Sequence, residues 1–175
     1  MRKGLRHIPL LTAAALLVAL LGACVADECL DNQNTLPLAG FYKTSEPSKD
    51  YTVQGLEVYG LGAPGDSVLL DRKSVSEVQL PFRLSESSTT YVFSYDTEEY
   101  PAPEFNDTIT FRYKAEPFFV SSACGVSYRF QIEAIDYTTH AIESVSCPEG
   151  VITNVAKRNI NIYFRDTQSQ EGGDQ

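Results

Sequence analysis

The chain has 175 residues, 43% of them hydrophobic and 21% charged, and its 14 Lys and Arg against 23 Asp and Glu give a formal net charge of −9. So acidic a surface is a poor match for nucleic acid or for direct adhesion to anionic lipid. No cysteine pair has zinc-ligand spacing and His140 is the only histidine after the first 23 residues, which argues against a metal centre and against a bound cofactor.

Taken in order, the chain opens on Arg2, Lys3 and Arg6, and Ile8 to Leu21 is then almost wholly apolar. At about 14 residues this run is short of the roughly 20 that cross a bilayer as a helix, and a charged start followed by such a run is a secretory signal. It ends in Leu21-Gly22-Ala23-Cys24. An aliphatic residue, two small residues and a cysteine resemble the lipobox of bacterial lipoprotein precursors. The resemblance implies a signal peptide over 1–23 and acyl chains, palmitate among them, on Cys24. More than one chain there is enough for stable anchoring. Without the three leader cations the formal charge of −9 becomes −12.

Residues 24–40 carry Asp27, Glu28 and Asp31 and read as a lipidated N-terminus with a short tether. Beyond them nearly everything reads as strand. Leu56 to Tyr59 ends at Gly60, Gly62, Pro64 and Gly65, and Val68 to Leu70 is a short buried run. Val78, Leu80, Phe82 and Leu84 alternate with polar residues, with Pro81 pointing to an edge position. Tyr91, Phe93 and Tyr95 share one face, as do Ile109, Phe111 and Tyr113. In Val126 to Ala134 the pattern sets Val126, Tyr128, Phe130, Ile132 and Ala134 inward. A turn at Tyr137-Thr138-Thr139-His140 leads to Ile142–Val145, and Ile160, Ile162 and Phe164 define the last strand. The polar tail 166–175 is expected to be disordered.

Eight or nine short strands without a 3.6-residue period predict one all-β domain over 41–165. The expected form is an antiparallel, loosely immunoglobulin-like sandwich, with a small barrel as the alternative. The Cys…Trp…Cys arrangement of true immunoglobulin domains is missing, because the chain has no tryptophan.

Several short blocks occur in a set order: Tyr59-Gly60-Leu61-Gly62, Asp66-Ser67-Val68-Leu69, Asp107-Thr108-Ile109-Thr110-Phe111, Ala123-Cys124-Gly125, His140 to Val145, and Asn161-Ile162-Tyr163-Phe164. Together with the lipobox and Cys29 a few residues on, they resemble a domain-of-unknown-function family found in lipoproteins of Bacteroidota. The resemblance implies a cell-envelope β-domain, facing the periplasm or the cell surface from the outer membrane, and brings no catalytic residues. In that setting Val25-Ala26-Asp27-Glu28 resembles an acidic surface-export signal. Asp66-Ser67-Val68 and Asp107-Thr108-Ile109 resemble O-glycan acceptors, with Ser67 and Thr108 as the modified residues.

Candidate chemistry is sparse. Asp96, Glu98, Glu99, Glu104 and Asp107 crowd one loop beside Tyr95, Tyr100 and Phe105. A calcium site or a sugar platform would use such residues, but the spacing is not that of a calcium loop, and a solvated acidic loop is the simpler reading. No two carboxylates are singled out for glycosidase work. His140 reads as a turn residue and Cys147 as a spare thiol, so the expectation is no enzyme. What remains is a membrane-anchored domain that binds an envelope protein or glycan. The alternative is a subunit of a fimbria-like assembly built by strand addition, with Asn159–Phe164 as donor; a carbohydrate-active domain is a weaker alternative still.

With Cys24 lipidated, Cys29, Cys124 and Cys147 share one disulfide. A hairpin centred on Thr138-Thr139 would set Cys124 opposite a position about six residues past Cys147, roughly 20 Å away, whereas bridged Cα atoms lie within about 7 Å. The expected pair is therefore Cys29 with Cys124, leaving Cys147 free. A bulge or register shift that allows Cys124–Cys147 is the alternative. The family resemblance agrees with the first pairing.

Overall fold

Apolar side chains at every second residue can all be buried only if the strand lies against a second apolar layer. The computed structural model, which describes residues 35–62, 67–97, 100 and 102–166, stacks two such sheets. In chain order the strands are β1 (Leu38–Lys43), β2 (Glu46–Asp50), β3 (Val53–Gly60), β4 (Val68–Val75), β5 (Glu77–Gln79) and β6 (Ser88–Tyr95). A 3₁₀ turn at Pro103–Phe105 precedes β7 (Asp107–Ser121), β8 (Gly125–Tyr137), β9 (Ile142–Ser146), β10 (Val151–Ile152) and β11 (Arg158–Phe164). One sheet runs β2-β1-β11-β9, with β5 also on β1. The other runs β10-β8-β7-β6-β3-β4.

This is the expected all-β sandwich, with eleven strands among the described residues where the pattern suggested eight or nine. Its pairing is antiparallel except at the centre of the first sheet. There β1 lies parallel to β11, with Ala39 beside Ile160 and Phe41 beside Ile162. The inward faces read from the sequence are the core. Tyr91, Phe93, Ile109, Phe111, Tyr113, Ile160, Ile162 and Phe164 are buried between the sheets. Phe82 stacks on Tyr113 with centroids 4.4 Å apart, and Phe41 meets Phe164 edge-on at 5.6 Å.

Four expectations are corrected. The tether through residue 40 takes in the first half of a central strand, β1, whose Ala39 and Phe41 are fully buried. Only Leu38 to Lys43 carries this signal, too short to show a period. The run Val68–Leu70 opens an edge strand, β4, that is largely exposed. Leu84 does not continue the inward row of Val78, Leu80 and Phe82 and is exposed. The chain leaves the sheet after Gln79, and tyrosine hydroxyls hold it instead. Tyr91 donates to the Pro81 carbonyl at 2.5 Å, and Tyr113 donates to the Arg83 carbonyl at 2.9 Å while accepting its N–H at 2.8 Å.

The fourth correction concerns β8. Phe130 is buried as expected, but Val126 and Tyr128 on the same face are exposed and Ser127 is buried. The pair β7–β8 runs on past the opposing sheet, so its last residues have no apolar layer to face among the described residues. Nor do β8 and β9 form a hairpin about Thr138-Thr139. The chain crosses there from the second sheet to the first, and the later partner of β8 is β10, with Ile152 beside Phe130.

Candidate functional site

Antiparallel register brings the segment before β3 and the loops after β6 and β8 to one end of the second sheet, opposite the β7–β8 turn. Leu56 pairs with Tyr95, Phe93 with Asp107, and Ile109 with Tyr137. Most of the candidate residues gather at this end.

Asp107, the first residue of β7, is fully buried and has no cation among its hydrogen-bond partners in the described residues. Its carboxylate is instead wrapped by donors from the crossover. The Thr138 hydroxyl and the His140 N–H reach Oδ1 at 2.7 and 2.9 Å. The N–H groups of Ala141 and Ile142 reach Oδ2 at 2.9 and 2.8 Å, and the Tyr95 hydroxyl lies 3.4 Å from it. A buried carboxylate is tolerable when its lone pairs are filled in this way. Burial beside Asp107 also pushes the Tyr95 phenol well above its ordinary range. Two of the recognised sequence blocks, Asp107–Phe111 and His140–Val145, thus meet through this carboxylate. The signal that could have linked them is a lone acid in phase with the inward row Ile109, Phe111 and Tyr113.

The other acids of the loop go elsewhere. Asp96 is exposed, 4.0 Å from Arg72, which also lies 3.6 Å from Glu57. Glu104 is exposed in the 3₁₀ turn, and Glu98 and Glu99 lie outside the described residues. Among the described residues no three acids, cysteines or histidines come together as metal ligands. His140 is exposed, tied to Asp107 through its backbone.

Beside Asp107 the same end opens into a cleft of about 400 Å³ lined by Tyr51, Thr52, Gln54, Ser74, Asp96 and Thr97. A second hollow of about 250 Å³, on the other side of Gly55 and Asp96, adds Glu57, Arg72 and Asn106. Gly55 divides them in a left-handed conformation, φ 56°, and a Cβ there would sit 2.5 Å from the Asp96 carbonyl oxygen. The cleft offers amide, hydroxyl and carboxylate groups beside an aromatic ring, the chemistry of reversible contact with a polar ligand.

The remaining predicted residues are dispersed. Cys24 and Cys29 lie outside the described residues. Cys147, after β9, is a half-buried free thiol whose pKa burial pushes up. Cys124, in the β7–β8 turn, is buried and is not a titrating thiol. Ser67 is exposed just before β4, while Thr108 is half-buried in β7 opposite Val92.

Fold and site together define a two-sheet β-sandwich domain with a carboxylate-locked crossover and a polar end cleft. A family model described as a family of unknown function, DUF6452, matches residues 55–164. That is more than half of the chain, and the chain belongs to this family. No curated protein and no solved structure matches it.

Proposed function

We propose that the protein is a lipoprotein of the bacterial outer membrane, anchored through acyl chains on Cys24, whose sandwich serves as an accessory binding domain in the cell envelope. The observation that carries this reading is Leu21-Gly22-Ala23-Cys24 at the end of a short apolar run with a cationic start. The likeness of the ordered blocks to lipoproteins of Bacteroidota agrees with it. The path of the chain supports it too, because Thr35 donates from its hydroxyl to the carbonyl of Tyr128, near the β7–β8 turn. The polar cleft lies at the other end, turned away from where an anchored segment would arrive. A glycan or envelope protein is the partner that such a cleft suits.

Pairing of Cys29 with Cys124 belongs to the same reading. With Cys147 free and Cys124 not titrating as a thiol, a cysteine preceding Thr35 is the fitting partner. The six residues from Cys29 to Thr35 can span about 20 Å, enough to reach back from Tyr128 to the turn. Of the two glycan-acceptor motifs, the exposed Ser67 suits modification better than Thr108 in its ladder.

Fractionation and intact mass test the anchor. Wild type should sediment with membranes and carry the added mass of acyl chains, and Cys24→Ala should become soluble. A soluble, unmodified wild type rejects the reading. Binding is tested by screening glycans and envelope proteins against wild type and against Gln54→Ala plus Asp96→Ala. A ligand lost in that variant supports the cleft, and one retained at full strength points away from it.

A further inference from the structure

We infer that the β7–β8 turn is a membrane-contacting tip that dips into the lipid surface beside the anchor, an inference that rests on the lipoprotein reading. Residues 117–128, Pro-Phe-Phe-Val-Ser-Ser-Ala-Cys-Gly-Val-Ser-Tyr, contain no charged side chain. In a chain that is 21% charged, twelve residues would ordinarily hold two or three. They form the end of the hairpin that runs past the first sheet, and register sets Phe119 opposite Val126 and Pro117 opposite Tyr128 on one face. On that face Phe119 is 68% exposed and Val126 59%. Leu36 and Leu84, also exposed, adjoin Tyr128 around a shallow hollow. An exposed apolar patch on so acidic a protein asks for an apolar partner.

Charge returns just below the tip. Glu116 bridges Lys114 at 3.1 Å and Arg129 at 3.0 Å. Apolar side chains beyond a tyrosine and a ring of charge have the layering of a segment that stops at the headgroups. Where the preceding chain leads identifies the occupant. Thr35 is bound to Tyr128, and the eleven residue steps from Cys24 to Thr35 can extend no more than about 40 Å. The pairing of Cys29 with Cys124 would shorten the leash to five residues, or about 18 Å from the turn. A bilayer holding the Cys24 acyl chains is therefore always within reach of Phe119. The chain's negative charge argues that the contact is apolar and that it depends on the anchor for proximity.

The chain has no tryptophan, so Phe119→Trp creates a single reporter, with Val126→Trp as a second and His140→Trp, at the opposite end, as a control. Lipidated protein carrying each is reconstituted into phosphatidylcholine vesicles with brominated acyl chains. The indoles at positions 119 and 126 should shift to shorter wavelength, be quenched by the bromolipid and be shielded from acrylamide, with the control unchanged. Acrylamide access at both tip positions in a protein shown by mass to be lipidated overturns the inference and leaves the anchor standing. Shielding that persists in soluble Cys24→Ala without vesicles also overturns it, since the chain's own segment, a second copy or another protein would then be the cover. A mass equal to the bare polypeptide removes the anchor reading and this inference together.

Discussion

The Asp107 carboxylate accepts the N–H of Ile142 at 2.8 Å, and that bond joins the two sheets, since Asp107 opens β7 in one and Ile142 opens β9 in the other. Three successive backbone N–H groups depend on the same side chain. Asp107→Ala would strand them in a dry site, each at a cost of the order of 1–3 kcal/mol. Partial relaxation of the loop makes about 3–5 kcal/mol the expected total loss in urea unfolding. Asp107→Asn keeps one acceptor and should lose less. Equal midpoints for Asp107→Ala and wild type would show that the crossover does not need the carboxylate.

Gly55 sits between the two hollows at the same end. Its positive φ and the 2.5 Å approach that a Cβ would make to the Asp96 carbonyl oxygen add up, because the obstacle is backbone that cannot swing away. Gly55→Ala should cost about 2–4 kcal/mol and should displace Asp96, weakening any ligand of the cleft. Thermal melting reads the first effect, and a change below about 0.5 kcal/mol would contradict the geometry.

At the other sheet, Arg158 of β11 lies across β1. Its Nε donates to Glu77 at 2.8 Å, and its two terminal nitrogens reach Asp50 at 2.5 and 2.9 Å, so β5 and β2 are both tied to β11. The guanidinium holds the exposed Asp50 carboxyl below its ordinary pKa. A Cβ on Gly40 would come within 2.7 Å of Arg158 Cδ and 2.8 Å of the Tyr42 hydroxyl. Gly40→Ala is expected to cost about 1–2 kcal/mol by pushing Arg158 off its partners. That cost should shrink in an Arg158→Ala background. Additive losses in the double-mutant cycle would mean that Gly40 serves some other purpose.

What could be read from the sequence follows where the period-two signal was long enough. Strands β6, β7 and β11 carry three or more alternating apolar residues each, and their inward rows are buried as read. Strand β1 has only Ala39 and Phe41 to announce it, and its parallel partner β11 is more than a hundred residues away, so nothing local marks it as central. In β8 the alternation is real, but burial also needs an opposing layer, and no one-strand pattern reports where that layer stops at Val126 and Tyr128. Asp107 looked like one acid among five. The donors that bury it come from residues 138–142, and that contact exists only once the crossover between sheets is known.

The tyrosine phenols make a pH prediction. Burial raises the pKa of Tyr91 and of Tyr95 above the ordinary value of 10, while in the unfolded chain both ionise near pH 10. Between those values the folded state binds more protons, so stability falls as pH rises. The contribution is complete below about pH 10 and is lost progressively above it. Unfolding followed at pH 8, 10 and 11 should show the midpoint dropping only over the alkaline step. The drop should be smaller in Tyr95→Phe. An alkaline decline of the same size in Tyr95→Phe and Tyr91→Phe would assign it to other groups.

The last prediction concerns the thiols. Cys147 is free and half-buried, with its pKa pushed up by burial, so little of it is thiolate at neutral pH and its modification should be slow. In the native protein, a maleimide or disulfide reagent should label at most one thiol, at Cys147, and do so much faster after unfolding. Peptide mapping without reductant should recover Cys29 joined to Cys124. A loop of that length should stabilise the domain by roughly 4–5 kcal/mol in the chain-entropy model, so a reductant should lower the unfolding midpoint of wild type. Cys29→Ser should unfold at that lowered midpoint with or without reductant, and Cys147→Ser should behave as wild type. Recovery of a Cys124–Cys147 peptide, or rapid labelling at Cys29 in the folded protein, would mean that the segment before Thr35 is not stapled to the hairpin turn.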